Sequence, residues 1–215
     1  EDADAAMYRA KERGGARAEL FDERMRENAV RAMAIEQELM RGLERDELCL
    51  HFQPHVDLRT GTVVGAEALV RWEHPERGLI VPDRFLDVAE ETGLIVPVGA
   101  WVVRAACERL AEWQARPSTA GLTLSVNLSA RELTHPDVVS SVLGCVREAG
   151  VDPCGLTVEV TESTAMADGD TGFRALRDMS AEGIRVAIDD FGTGYSSLEQ
   201  LRRMPVDVVK VDRSF

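Results

Sequence analysis

The chain has 215 residues, 45% of them hydrophobic, and a formal net charge of −13, enough for one sizeable core and a fragment of a second unit. The negative balance argues against a DNA or RNA duplex and against an anionic membrane surface as partners. Hydrophobic stretches are short and broken by charges, and the four cysteines show neither CxxC spacing nor partner histidines. The sequence therefore predicts no transmembrane helix, no signal peptide, and a cytoplasmic protein with reduced thiols.

Residues 1–20 read as the end of something larger. Ala5-Ala6-Met7-Tyr8-Arg9-Ala10-Lys11 predicts a helix with one apolar side, stopped at Gly14-Gly15. A second helix is predicted from Asp22 to about Leu43, with Met25, Ala29, Met33, Glu36, Leu39 and Met40 near one side. Its mixed stripe predicts a connector over residues 21–45, with too few heptads for a coiled coil.

Leu48 to Leu58 and Val63 to Trp72 flank the turn Arg59-Thr60-Gly61 and predict an antiparallel hairpin. Strands then alternate with helices. A short helix is predicted over 82–91 with Pro82 in its first turn, and a long one over 98–114 with Trp101, Val102, Ala105, Leu110 and Trp113 in the core. Strands are predicted at 122–128, 156–160, 185–189 and 206–211, and helices at 136–149, 171–181 and 196–203. Such repeats imply a parallel sheet with helices outside it, closing as a (β/α)8 barrel or staying open in a doubly wound fold.

In either fold the site gathers at the carboxyl ends of the strands. Glu67, Asn127, Glu159, the pair Asp189 and Asp190, and Lys210 each stand amid apolar neighbours on successive strands. Any one of them reads more simply as a satisfied polar group, and Asp189-Asp190 alone as a solvated turn. Five strands in sequence, contributing carboxylates, an amide and a lysine, are explained more economically by a shared metal site, because hard oxygen ligands suit a divalent cation. The two aspartates can share a site only if the strand ends there, since neighbouring side chains point to opposite faces. None of the four histidines ends a candidate strand. Paired carboxylates also serve glycoside hydrolysis, but that chemistry gives Asn127, Lys210 and the double Asp no role.

From about Leu48 to Phe215 the chain resembles an EAL domain, the family of cyclic-di-GMP phosphodiesterases. The resemblance runs through Phe52-Gln53-Pro54, Glu67-Ala68-Leu69-Val70-Arg71-Trp72, His74-Pro75, Ser125-Val126-Asn127-Leu128-Ser129, Glu159-Val160-Thr161-Glu162-Ser163, Asp189 to Ser197, and Lys210-Val211-Asp212. The helix around Met7 resembles the last helix of a GGDEF (diguanylate cyclase) domain.

The resemblance implies an α/β, TIM-like (β/α)8 barrel whose first strand runs antiparallel. It implies two divalent cations, Mg²⁺ or Mn²⁺, with Glu67, Asn127, Glu159 and Asp189 as ligands to one. Asp189 would bridge to the second, which Asp190 helps to hold. Lys210 matches the lysine that positions the attacking water, Arg71 and Gln53 contact the dinucleotide, and Glu162 holds the Asp190–Tyr195 loop. The implied reaction is hydrolysis of cyclic di-GMP to pGpG in bacterial signalling, by a homodimer with a GGDEF domain upstream in the parent protein. The alternative is a module that binds the dinucleotide or a protein without cutting. A further glutamate and a glutamine on the family's last two strands are expected beyond Phe215, so residues 46–215 are expected to hold six of eight strands. A membrane anchor elsewhere in the parent is left open.

Overall fold

The computed structural model describes residues 23–167, 169–192, 204–212 and 214. The helices expected around Met7 and over 196–203 lie outside the described residues. α1 (Glu23–Glu44) leads into the hairpin of β1 (Leu48–Val56) and β2 (Val63–His74), and a short β3 (Gly78–Ile80) folds back on β2. A 3-10 turn at Pro82–Arg84 precedes α2 (Leu86–Thr92), α3 (Ile95–Gln114) and β4 (Thr123–Asn127). Then come α4 (Ala130–Leu133), α5 (Val138–Ala149), β5 (Leu156–Thr161), α6 (Glu162–Ala167), α7 (Gly169–Ala181), β6 (Arg185–Phe191) and β7 (Val208–Val211).

One sheet contains all seven of these strands in the order β1-β2-β4-β5-β6-β7, with β3 on the far end of β2. Only β1 and β3 run antiparallel to their neighbour; β2 through β7 are otherwise parallel. This is the arrangement of an incomplete TIM-like barrel with an antiparallel first strand. β2 shows why it folds so. Ala66, Ala68, Val70 and Trp72 are buried beneath the helices, while Glu67, Leu69 and Arg71 alternate onto the inner face. The register pairs Gln53 with Glu67, Glu67 with Ser125, and Asn127 with Glu159, so those side chains share the inner face.

The expected core of α3 differs from the observed one. On α3 the buried stripe is Val98, Val102, Val103, Ala106 and Leu110, while Trp101, Ala105 and Trp113 are only half-buried. The i, i+4, i+7 stripe leaves both tryptophans at its margins, where Trp113 packs against Phe52 at 5.6 Å between ring centroids. On α1, Ile35 and Leu39 are buried, whereas Met33 and Met40 are exposed at 63% and 48%. That rotation brings Gly42 against Trp72, where a Cβ would lie 2.9 Å from the indole nitrogen.

Further elements go beyond the expected pattern: β3, α4 and α6, and the 3-10 turn that splits the helix predicted over 82–91. α4 opens with a reciprocal capping box between Ser129 and Glu132, a Ser-x-x-Glu signal visible in the sequence. β6 also runs on past Asp189. At Asp190 the backbone turns left-handed, with φ of 52°, and the register with β7 shifts between Ile188 and Phe191. This bulge breaks the alternation of Asp189 and Asp190 without ending the strand.

Candidate functional site

Four strands converge on one ammonium group. Lys210 Nζ of β7 donates to Glu67 Oε2 at 3.1 Å, to Glu159 Oε2 at 2.5 Å and to Asp189 Oδ2 at 2.9 Å. Asn127 Nδ2 donates to the other oxygen of Glu67 at 2.8 Å. Residues that lie up to 143 positions apart in the chain thus meet in one cluster. Burial lowers the lysine's proton affinity, but its hydrogen bonds to Glu159 and Asp189 outweigh that and hold the ammonium charged well above its usual range. Burial pushes the Glu159 carboxyl up, against the pull of Lys210 and with the help of Glu67. Three carboxylates facing one cation leave an excess of negative charge.

Asp190 is exposed on the rim. Partial burial and the nearby charges of Asp189 and Asp212 push its carboxyl up. Glu162 is buried at the start of α6 and accepts a hydrogen bond from Gly192 N at 2.9 Å. The rest of the expected loop, through Tyr195, lies outside the described residues. Gln53 sits opposite Glu67 on β1. Arg71 lies one turn of the pleat beyond Leu69, and its guanidinium donates to the Val70 carbonyl at 2.8 Å.

Asn127 and Asp190 also border a groove of about 730 Å³ at the carboxyl ends of β2, β4 and β5. Among the described residues its charged lining is all acidic: Asp83, Asp87, Glu90, Glu132 and Asp190. An anionic occupant would need cations to sit there.

The sequence profile of the EAL domain matches residues 36–215. The chain belongs to that family. It is 45% identical over 213 residues to the bifunctional diguanylate cyclase/cyclic di-GMP phosphodiesterase MucR of Pseudomonas aeruginosa, covering 99% of this chain and 31% of that protein. It is 40% identical over the same length to the cyclic di-GMP phosphodiesterase PdeR of Escherichia coli, covering 99% and 32%. The chain therefore spans about a third of the length of these relatives. The solved structure of the MucR phosphodiesterase in complex with c-di-GMP superposes with a TM-score of 0.80 at 45% identity, over 84% of this chain and 73% of that one.

This EAL domain brings one unexpected side chain into its site. His55, Glu67 and Glu159 each offer a ligand atom, and these atoms all lie within 4.8 Å of one another. The sequence reading leaves the histidines out because none of them ends a candidate strand. The hairpin register is the signal that could have found it: His55 follows Gln53, the partner of Glu67, by one pleat on the same face. Beneath them Ser125, 3% exposed, faces inward. Its hydroxyl is near enough to Glu159 to favour the charged carboxylate, yet it makes no hydrogen bond of good geometry. The carboxylates of Glu67 and Glu159, with the Asn127 amide on Glu67 and the His55 imidazole within reach, form a donor set that fits a divalent metal ion.

Glu132 lies at the back of the groove, 6% exposed. Burial pushes its carboxyl up to about 7, against two hydrogen bonds from Ser129. A carboxyl raised in the folded state binds its proton more tightly there, so the stability it contributes is complete below the unfolded value of about 4.5 and is lost as pH rises through 7. The unfolding free energy should fall by on the order of 3 kcal/mol across that window. Glu132→Gln keeps an acceptor for Ser129 and should flatten this part of the profile. Urea unfolding at pH 5 to 8 checks it, and parallel profiles for the two proteins would refute the assignment.

Proposed function

We propose that the chain carries the centre of a metal-dependent phosphodiesterase that opens cyclic di-GMP to pGpG. The observation that carries this reading is the inner-face cluster of Glu67, Asn127, Glu159 and Asp189 around Lys210. Likeness to proteins described as cyclic di-GMP phosphodiesterases supports the substrate.

The roles follow from charge and position. Glu67, Asn127, Glu159 and Asp189 would hold the metal ions, with Asp190 joining them from the rim. Mg²⁺ or Mn²⁺ bound there would supply Lewis acidity and neutralise the phosphodiester. Lys210, a permanent donor on β7, would orient the attacking water and steady developing negative charge. Arg71, once released from the Val70 carbonyl, and Gln53 would engage the dinucleotide, and Glu162 would fix the loop that starts at Gly192. The acidic lining of the groove fits a design in which metal, and not protein cations, admits the anion.

In the parent protein we read residues 1–20 as the tail of a GGDEF domain, 21–45 as a connector and 46–215 as the EAL domain, acting in the cytoplasm as a homodimer. Among the described residues no helix is long and apolar enough to cross a membrane.

The test is incubation of the chain with cyclic di-GMP and Mg²⁺ or Mn²⁺, with pGpG followed by chromatography and a chelator as control. Metal-dependent appearance of pGpG is expected. Tight binding without cleavage would make the domain a receptor and remove the roles given to Asp190 and Lys210.

A further inference from the structure

The carboxylate cluster uses the inner face of β2, and the strand has an outer face as well. There a cavity of about 440 Å³ opens between α1, the end of β2, β3 and the 3-10 turn. It is lined by Arg31, Ile35, Trp72, Arg77, Ile80 and Arg84. None of these residues lines the acidic groove or belongs to the Lys210 cluster. Its volume is that of a small-molecule site.

The charge of this lining runs against the composition of the chain. Acidic residues outnumber Lys and Arg by 38 to 25, yet among the described residues the cavity is lined by three arginines and no acid. They come from separate elements: Arg31 from α1, Arg77 from the turn between β2 and β3, and Arg84 from the 3-10 turn. Arg77 Nη2 donates to Glu38 Oε1 at 3.0 Å, which leaves its other N–H groups available. Among the described residues neither Arg31 nor Arg84 has an ion-pair partner. Guanidiniums gathered around one cavity repel each other and gain nothing from meeting there until an anion joins them. Stems that served only to cover Ile35, Trp72 and Ile80 would close over those side chains and leave no cavity.

We propose that this cavity binds a nucleoside polyphosphate, its phosphates on Arg31, Arg77 and Arg84 and its uncharged body on the apolar floor. Guanidinium forks match phosphate oxygens two at a time. Ile35, Trp72 and Ile80 give the base or sugar a surface to bury against, which inorganic phosphate would leave bare. A phosphorylated lipid fits less well, because a chain of net charge −13 is repelled from an anionic bilayer.

An occupant held by α1, the β2–β3 turn and the 3-10 turn ties the helix to the strand that carries Glu67 and Arg71. Binding should therefore slow amide exchange along α1. Neither metal nor cleavage of cyclic di-GMP enters this site.

Calorimetry on the metal-stripped full chain is the test, with ATP, GTP, pyrophosphate and adenosine as probes, for wild type, Arg31→Gln, Arg84→Gln and the double variant. Without metal the acidic groove has no ion with which to admit a phosphate. Both arginines are exposed, so the variants should keep the circular dichroism and unfolding midpoint of wild type. ATP or GTP is expected to bind about 10-fold or more tightly than pyrophosphate, and adenosine not to bind. Each single substitution should cost about 10-fold and the pair about 100-fold. Hydrogen–deuterium exchange should show α1 protected by ATP or GTP in wild type and unprotected in the double variant. Pyrophosphate binding as tightly as either nucleotide overturns the proposal, because charge alone would then be read. No nucleotide binding by wild type, or unchanged affinity in the double variant, overturns it as well. Each of these failures leaves the phosphodiesterase reading standing, and loss of that reading leaves this site untouched.

Discussion

Lys210→Met should destabilise the metal-free protein by about 3–5 kcal/mol, the usual cost of stripping one partner from a buried ion cluster. Methionine fills much of the lysine's volume, so the loss is electrostatic. Glu159 is 2% exposed at its side chain, Glu67 14% and Asp189 23%. With the ammonium gone, three carboxylates within reach of one another are left to repel. Glu159, whose carboxyl burial already pushes up, can escape by taking up a proton, so the loss should shrink as pH falls.

A divalent ion offers another escape. Mn²⁺ at 100 times its dissociation constant adds roughly 2.7 kcal/mol to any folded state that binds it, and it should bind the variant more tightly than wild type because no ammonium competes. Stability should therefore return with metal, while hydrolysis stays about 10²–10⁴-fold down, the range for losing a positioned proton-handling group. Urea unfolding with chelator and with Mn²⁺, beside turnover of cyclic di-GMP, separates the two effects. Equal stability of variant and wild type in chelator would show that Lys210 does not neutralise the cluster.

That cluster was legible in the sequence residue by residue but not as geometry. Glu67, Asn127, Glu159, Asp189 and Lys210 stood out because each is a polar residue inside an apolar strand, and period-two alternation puts each on a definable face. The six strands of the alternating pattern and the antiparallel hairpin were equally clear, since buried strands and Gly turns write themselves locally, whereas the short β3 was not. What local pattern cannot hold is a choice that depends on partners far along the chain. Glu67 bonds to Asn127 and Lys210, which lie 60 and 143 residues away. The left-handed Asp190 was hidden for a related reason. The bulge answers to β7, and an Asp-Asp pair gives no sign of which residue will leave the β region.

On α3 the expected Val102 and Leu110 are buried, but Trp101 and Trp113, though large and apolar, stand at the margins of the stripe, and Val98, Val103 and Ala106 fill it. His55 ends no strand and carries no local sign of its position, because only the hairpin register brings it within reach of Glu67.

Glu67→Gln should show the opposite signature to Lys210→Met. Glu67, Glu159 and Asp189 against Lys210 carry a net charge of −2 in the metal-free state, and the substitution halves it. The glutamine oxygen can still accept from Asn127, while repulsion on Glu159, which Glu67 helps to push up, is relieved. The lost ion pair with Lys210 offsets that relief, so stability in chelator should stay within about 1 kcal/mol of wild type or rise slightly. Metal affinity and turnover should nevertheless collapse, turnover by about 10³-fold or more, because the removed charge is the one a dication needs. A residue retained for folding would show the reverse: a large loss of stability and a modest loss of rate. Turnover within 10-fold of wild type would take Glu67 out of the centre, and with it the reading that the excess negative charge around Lys210 exists to bind metal.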